Sequence, residues 1–200
     1  MKKMLVLVLL CFGLYGCASL NSSVPFRYQP SLIASNKTID KVVGLNLLSD
    51  KRPEIDVSYT KSIKDISEKV TAKLLEDFDK SKLFKEIHFP ARTTDDIVIS
   101  GTIDNFIWKM YATPINYIPV LGLVVIFGVP EYEAYGIAGI TLEIKDNKSG
   151  TIIGKLEETS RQESEYTMYN FKTGEAGAEL EEAFRDVAKK LKEGLLTKID

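Results

Sequence analysis

The side chains able to do chemistry are few: one histidine, two cysteines, and carboxylates scattered among lysines. Cys17 stands where an apolar run gives way to the polar stretch ASLNSS, with small Gly16 before it, a place where a nucleophilic sulfur can be modified. His88 lies in LFKEIHF beside Phe89. A general acid or base needs a partner in reach, and the sequence sets none next to it, so a strand histidine with a satisfied imidazole is expected. Asp95 and Asp96 fall at a strand entrance, where adjacent carboxylates form turns more often than a catalytic dyad. DNKSG (146–150) lacks the bidentate Glu and alternating oxygen ligands of a calcium loop and reads as a hairpin turn. KTGEAG (172–177) has neither the glycine spacing nor the Lys-Ser/Thr pair of a phosphate loop. No catalytic residue, metal cluster or cofactor is therefore expected, and the chain reads as something other than an enzyme.

Cys17 is positioned by what precedes it. MKKMLVLVLLCFGLYG offers Lys2 and Lys3, then an uninterrupted apolar segment from Met4 to Phe12, which is the pattern of a secretory leader. The segment is too short to cross ~30 Å of hydrocarbon as a helix. The order Leu14, Tyr15, Gly16, Cys17 resembles the lipobox of bacterial lipoproteins. That resemblance implies acylation of Cys17, palmitate included, and removal of residues 1–16, so that Cys17 becomes the first residue. The plainer alternative is a secreted protein cut near Gly16 with a free thiol. Cys11 follows bulky Leu10 and does not compete.

The remaining length is that of one domain with a core of its own. Cys11 leaves with the leader and Cys17 is modified, so no disulfide framework is expected. The formal net charge is -2, and loss of Lys2 and Lys3 makes it more acidic. Nucleic acid is excluded as a partner on this ground, since it calls for a basic stripe to neutralise phosphates.

Residues 17–36, rich in Ser, Asn and Pro, read as a lipidated tether. The single domain is expected over 37–200. KVVGLNLL (41–48) puts Val43, Leu45 and Leu47 on one face of a first strand. In SIKDISEKVTAKLLEDFDKS, Ile63, Ile66, Val70, Leu74 and Phe78 recur at helical spacing, with Ser62 and Asp65 as a capping pattern. LFKEIHF is a short strand ended by Pro90. DDIVISGTIDNFIWKMY (95–111) is a long strand with Ile97, Ile99, Ile103 and Ile107 on one face, Val98, Phe106, Trp108 and Met110 on the other, and Gly101 as a bulge candidate. Two further strands flank DNKSG. Leu180, Phe184, Val187, Leu191, Leu195 and Ile199 mark a closing helix, acidic at its start and basic at its end. This order predicts an α+β two-layer domain: a mainly antiparallel sheet with two amphipathic helices on one face.

The least ordinary piece is the insertion at 114–130, PINYIPVLGLVVIFGVP, where no side chain from Ile118 to Val129 carries a charge or donates a hydrogen bond. It is too short to span a bilayer as a helix or as a hairpin of spanning strands, and it lacks the alternation of a barrel strand. Three readings stand: a buried strand of the core, a patch that docks on an identical subunit or another envelope protein, or a loop that dips into one leaflet beside the acylated terminus. In the last two, Ile118, Val120, Leu121, Leu123, Val124, Val125, Ile126, Phe127 and Val129 form the membrane or partner surface.

With the elements placed, the chain resembles a superfamily of bacterial envelope lipoproteins related to the amino-terminal domain of TolB, the curli secretion lipoprotein and the lipoprotein activator of a peptidoglycan synthase. VVGLNLLSDKR, SEKVTAKLLEDFDKSKLFKEI, DDIVISGTI and the hairpin ending before AFRDVAKKL carry the likeness, over roughly residues 38–198. It implies a non-catalytic, lipid-anchored module that binds or scaffolds envelope partners, or else an oligomeric secretion or pore component inserting 114–130 into the membrane. Ala18 after Cys17 is not the aspartate of an inner-membrane retention signal, which points to the outer membrane, facing the periplasm.

Overall fold

A computed structural model describes residues 26–30, 37–54, 65–117, 125–167, 169–170 and 176–199. Its elements, in chain order, are β1 (Ile39–Leu45), β2 (Ser49–Asp50), α1 (Ile66–Lys80), β3 (Phe84–His88), β4 (Ile97–Ala112), β5 (Tyr132–Asp146), β6 (Ile152–Tyr166) and α2 (Ala178–Ile199). One sheet runs β3-β1-β4-β5-β6, with β2 continuing beside β4. The long β4–β5 and β5–β6 pairings are antiparallel. The short β1–β3, β1–β4 and β2–β4 pairings are parallel, because α1 carries the chain back between β1 and β3.

Both helices bury their apolar stripes on one face of the sheet, giving the expected two-layer α+β architecture. From α1, Ile66, Val70, Leu74 and Phe78 enter the core; from α2, Leu180, Phe184, Val187, Leu191 and Leu195 do. The end of α1 follows from local chemistry. Lys82 adopts φ 54, the Lys82 N–H donates to Asp79 O at 3.0 Å and the Leu83 N–H to Phe78 O at 3.2 Å. These two bonds satisfy carbonyls the helix would leave open, and they place Leu83 in the core. At the start of α1, Asp65 has φ 59 and makes no side-chain capping bond; Ser62 and Ile63 lie outside the described residues.

Three local expectations change. Leu47 is 49% exposed, while Leu48 is fully buried, because β1 ends at Leu45 and the alternation does not continue. Gly101 is not the bulge; the register with β5 slips between Ile103 and Asn105, leaving Asp104 as the extra residue. That single insertion exchanges the faces of β4. Ile97, Ile99 and Ile103 face the helices before it, and Phe106 and Trp108 face them after it, whereas Ile107 pairs with Ile137 on the opposite face. Asp104 is held there by hydrogen bonds from the hydroxyls of Thr102 and Thr141, both at 2.7 Å.

The tether also ends sooner than residue 36. Tyr28 is 1% exposed, its ring packs edge-on against Phe184 at 4.7 Å between centroids, and Phe26 packs against Phe106 and Phe184 at 5.0 and 5.3 Å. Residues 26–30 therefore belong to the folded body.

At the far end, α2 crosses β5 closely. A Cβ on Gly136 would lie 2.1 Å from the Leu180 backbone nitrogen, so only glycine admits the helix there. Glu179, the second residue of α2, is buried and accepts hydrogen bonds from the Trp108 indole N–H at 2.8 Å and from the Tyr166 hydroxyl. The ends of β4 and β5 run on beyond this crossing, roughly 13 Å for four residues.

Candidate docking surface

At that projecting end the chain leaves β4, makes a 3-10 turn over Pro114–Tyr117 and returns at β5. Its base is closed by backbone bonding: the Thr113 N–H donates to Glu131 O at 2.8 Å, the Thr113 hydroxyl to Pro130 O at 2.7 Å, and the Glu131 N–H to Tyr166 O at 2.8 Å. Of the surface residues expected from sequence, Ile118, Val120, Leu121, Leu123 and Val124 lie outside the described residues, as does Cys17. The described part does not behave as one unit. Val125 is buried, Val129 is half-buried, and Ile126 and Phe127 are exposed at 54% and 82%. A tight turn, with Gly128 at φ 81 and its N–H donating to Val125 O at 2.9 Å, presents the two exposed side chains outward.

Of two exposed tyrosines missed in the sequence, Tyr169 bonds this turn and Tyr111 stands near the end of β4. Tyr169, 67% exposed, donates its hydroxyl to Ile126 O at 2.5 Å, and Tyr111, 48% exposed, donates to Glu133 Oε2 at 2.7 Å. The carboxylate of Glu133 holds the Tyr111 phenol above its ordinary value, so it stays a donor. Tyr169 comes from the segment after β6, and no local pattern links it to residue 126. The arrangement is an apolar point with one amphipathic aromatic, Tyr169, bonded to it, suited to a dry or half-dry neighbour.

His88 is also less isolated than its sequence neighbours suggest. Its Nδ1 lies 2.6 Å from Asp95 Oδ1, its Nε2 2.8 Å from Glu86 Oε1, and Arg92 NH1 3.3 Å from Nε2. Asp95 is 1% exposed and its other oxygen accepts the Arg92 N–H at 2.6 Å. The hydrogen bond to Asp95, followed by that to Glu86, raises the His88 pKa above 6.5. Glu86 is legible as a strand neighbour two residues away; Asp95 arrives through the loop from β3 to β4, which sequence spacing does not reveal. Asp96 turns elsewhere. Its carboxylate accepts the Val42 N–H at 3.1 Å and is held below its usual range by that bond first and by Lys148 next.

DNKSG closes the β5–β6 hairpin as expected. The Asp146 carboxylate accepts the N–H and hydroxyl of Ser149 at 2.7 and 2.8 Å, and Gly150 takes φ 73. Of KTGEAG, only Ala176 and Gly177 are described. Among the described residues no helix is long and apolar enough to cross a membrane.

No protein-family model and no curated protein matches the sequence. Solved structures do. A Xanthomonas campestris protein of the family DUF330 superposes with a TM-score of 0.56 at 8% identity, over 86% of this chain and 93% of that one. The two share a fold. Lower scores relate the chain to the PelC dodecamer of Paraburkholderia phytofirmans (TM-score 0.42, 12% identity, 79% and 90% covered) and to a minor lipoprotein of Acinetobacter baumannii (0.43, 10%, 80% and 94%).

Proposed function

We propose that this chain is a non-catalytic lipoprotein of the bacterial cell envelope, anchored through acylated Cys17 and binding or scaffolding envelope partners with its folded body. The observation that carries the reading is the distance between anchor and body. A leader of lipoprotein pattern ends at Gly16, and about nine residues later Phe26 is already packed against Phe106 and Phe184. An extended chain of that length reaches at most ~32 Å, so the anchor keeps the body against the membrane surface. Two or more acyl chains, at ~0.8 kcal/mol per buried methylene, hold where one does not.

The absence of catalysis is supported by His88, whose two ring nitrogens are both engaged by carboxylates, leaving neither aimed at a substrate. Placement on the periplasmic side of the outer membrane rests on Ala18, and membership of the TolB-related lipoprotein superfamily on the sequence motifs and the two-layer fold.

Metabolic labelling with radioactive palmitate tests the anchor. Wild-type protein takes up label and fractionates with membranes, and Cys17→Ala does neither. A mature protein with an unmodified first residue in the soluble fraction overturns the reading. Crosslinking in intact cells followed by purification is expected to bring down a specific envelope protein or a second copy of the chain.

A further inference from the structure

We infer that the projecting point formed by Ile126 and Phe127, with Tyr169 bonded to it, seats in the interfacial layer of the same lipid surface that holds Cys17. The inference rests on the proposed anchoring and adds a second membrane contact made by the folded body.

Geometry brings the two contacts together. Phe26, the first described residue, packs edge-on against Phe106, and Phe106 lies six residues from the end of β4, roughly 20 Å along the strand. The chain from Cys17 to Phe26 spans up to ~32 Å, enough to set the acyl chains level with the point.

Chemistry selects lipid as the occupant. Backbone groups entering an interface must bring their own hydrogen bonds. Here the Ile126 carbonyl is capped by the Tyr169 hydroxyl, the Gly128 N–H is bonded to Val125 O, and Thr113 closes the base through Pro130 and Glu131. Exposed Phe127 and Ile126 supply apolar depth, while Tyr169, its hydroxyl satisfied, stands where headgroups meet hydrocarbon.

The test separates the contact from the anchor. The mature chain from residue 17, carrying Cys17→Ser and hence no acyl group, is floated with vesicles of phosphatidylethanolamine and phosphatidylglycerol. Co-flotation is expected, and Phe127→Asp is expected to weaken it roughly ten- to a hundredfold, the loss for one fully buried aromatic side chain. Ile152→Asp is the matched control: Ile152 is 61% exposed at the opposite end of β6, and its replacement should leave flotation unchanged. Circular dichroism confirms that each variant folds, as exposed positions should allow. Flotation that is absent, or insensitive to Phe127→Asp, overturns the inference. So does a chain that elutes as an oligomer, becomes monomeric with Phe127→Asp and ignores vesicles, since a second copy then covers the point. A bare Cys17 found by mass spectrometry removes the anchor while leaving the vesicle result to stand alone.

Discussion

The Tyr28 hydroxyl donates to Asp77 Oδ1 at 3.2 Å inside the core, where both side chains are almost fully buried. Lys192 Nζ lies 2.8 Å from the other Asp77 oxygen, so the segment 26–30, α1 and α2 meet at one carboxylate. Burial first, and the Asp77 carboxylate next, push the Tyr28 phenol far above its ordinary value of 10.0, which keeps it a donor at any physiological pH. The segment 26–30 is thereby a structural part of the domain.

Tyr28→Phe keeps the ring and deletes only the hydroxyl, so it should cost about 1 kcal/mol, whereas Tyr28→Ala also empties the space beside Phe184 and should cost ~3–5 kcal/mol. Urea denaturation of the two variants measures both. Equal losses would mean that the ring contributes nothing to the core.

The legibility of this junction in the sequence was poor for a physical reason. VPFRYQPS is short, polar and proline-bearing, so it offers no period, and Tyr28 finds its partners on helices 49 residues and more away. The helices themselves were legible because an amphipathic stripe repeats over many residues, as Leu180 to Leu195 does. The faces of β4 were legible only as far as Ile103. Period-two reading carries no memory of an inserted residue, so one bulge at Asp104 puts Phe106 on the helix-covered face and Ile107, still buried, on the opposite one. The exposed turn at Ile126 and Phe127 was half legible: its apolar run is local, but Tyr169 reaches it through tertiary structure.

Deleting Asp104 should therefore be far worse than truncating it. Without the extra residue, Phe106 and Trp108 move to the solvent face and their pairing partners lose the core, so the protein should fail to fold. Asp104→Ala keeps the register and loses two hydroxyl contacts at a partly exposed site, about 1 kcal/mol. Fluorescence of Trp108, the sole tryptophan, reports both. A deletion variant with native emission would show that the register does not set the faces.

The His88 cluster gives stability a defined pH dependence. Its folded pKa lies above 6.5, so the stabilisation by Asp95 and Glu86 is fully present below pH 6.5 and is lost as pH rises through the raised folded value. No other side chain type titrates there at its unperturbed pKa. Denaturation midpoints of the wild type should thus fall as pH is raised from 6 to about 8.5, and those of His88→Gln should stay level. A midpoint that climbs with pH in the wild type would contradict the sign.

Glu179 links the start of α2 to the projecting end of the sheet, and its two roles can be separated by substitution. The carboxylate accepts from the Trp108 indole and the Tyr166 hydroxyl, and it sits in the first turn, where the helix dipole favours an acid. Glu179→Gln retains an acceptor for the indole and presents an amide donor to the phenol oxygen, so it should cost under about 1 kcal/mol. Glu179→Ala leaves the half-buried indole N–H and the Tyr166 hydroxyl without this acceptor and should cost ~1–3 kcal/mol, with a shift in Trp108 emission. Since Gly136 fixes the crossing of α2 on β5 independently, the alanine variant should stay folded while the residues beyond the crossing exchange their amide hydrogens faster. If exchange at Tyr111, Glu131 and Tyr132 is unchanged, Glu179 stabilises α2 alone and does not brace the strands that carry Phe127.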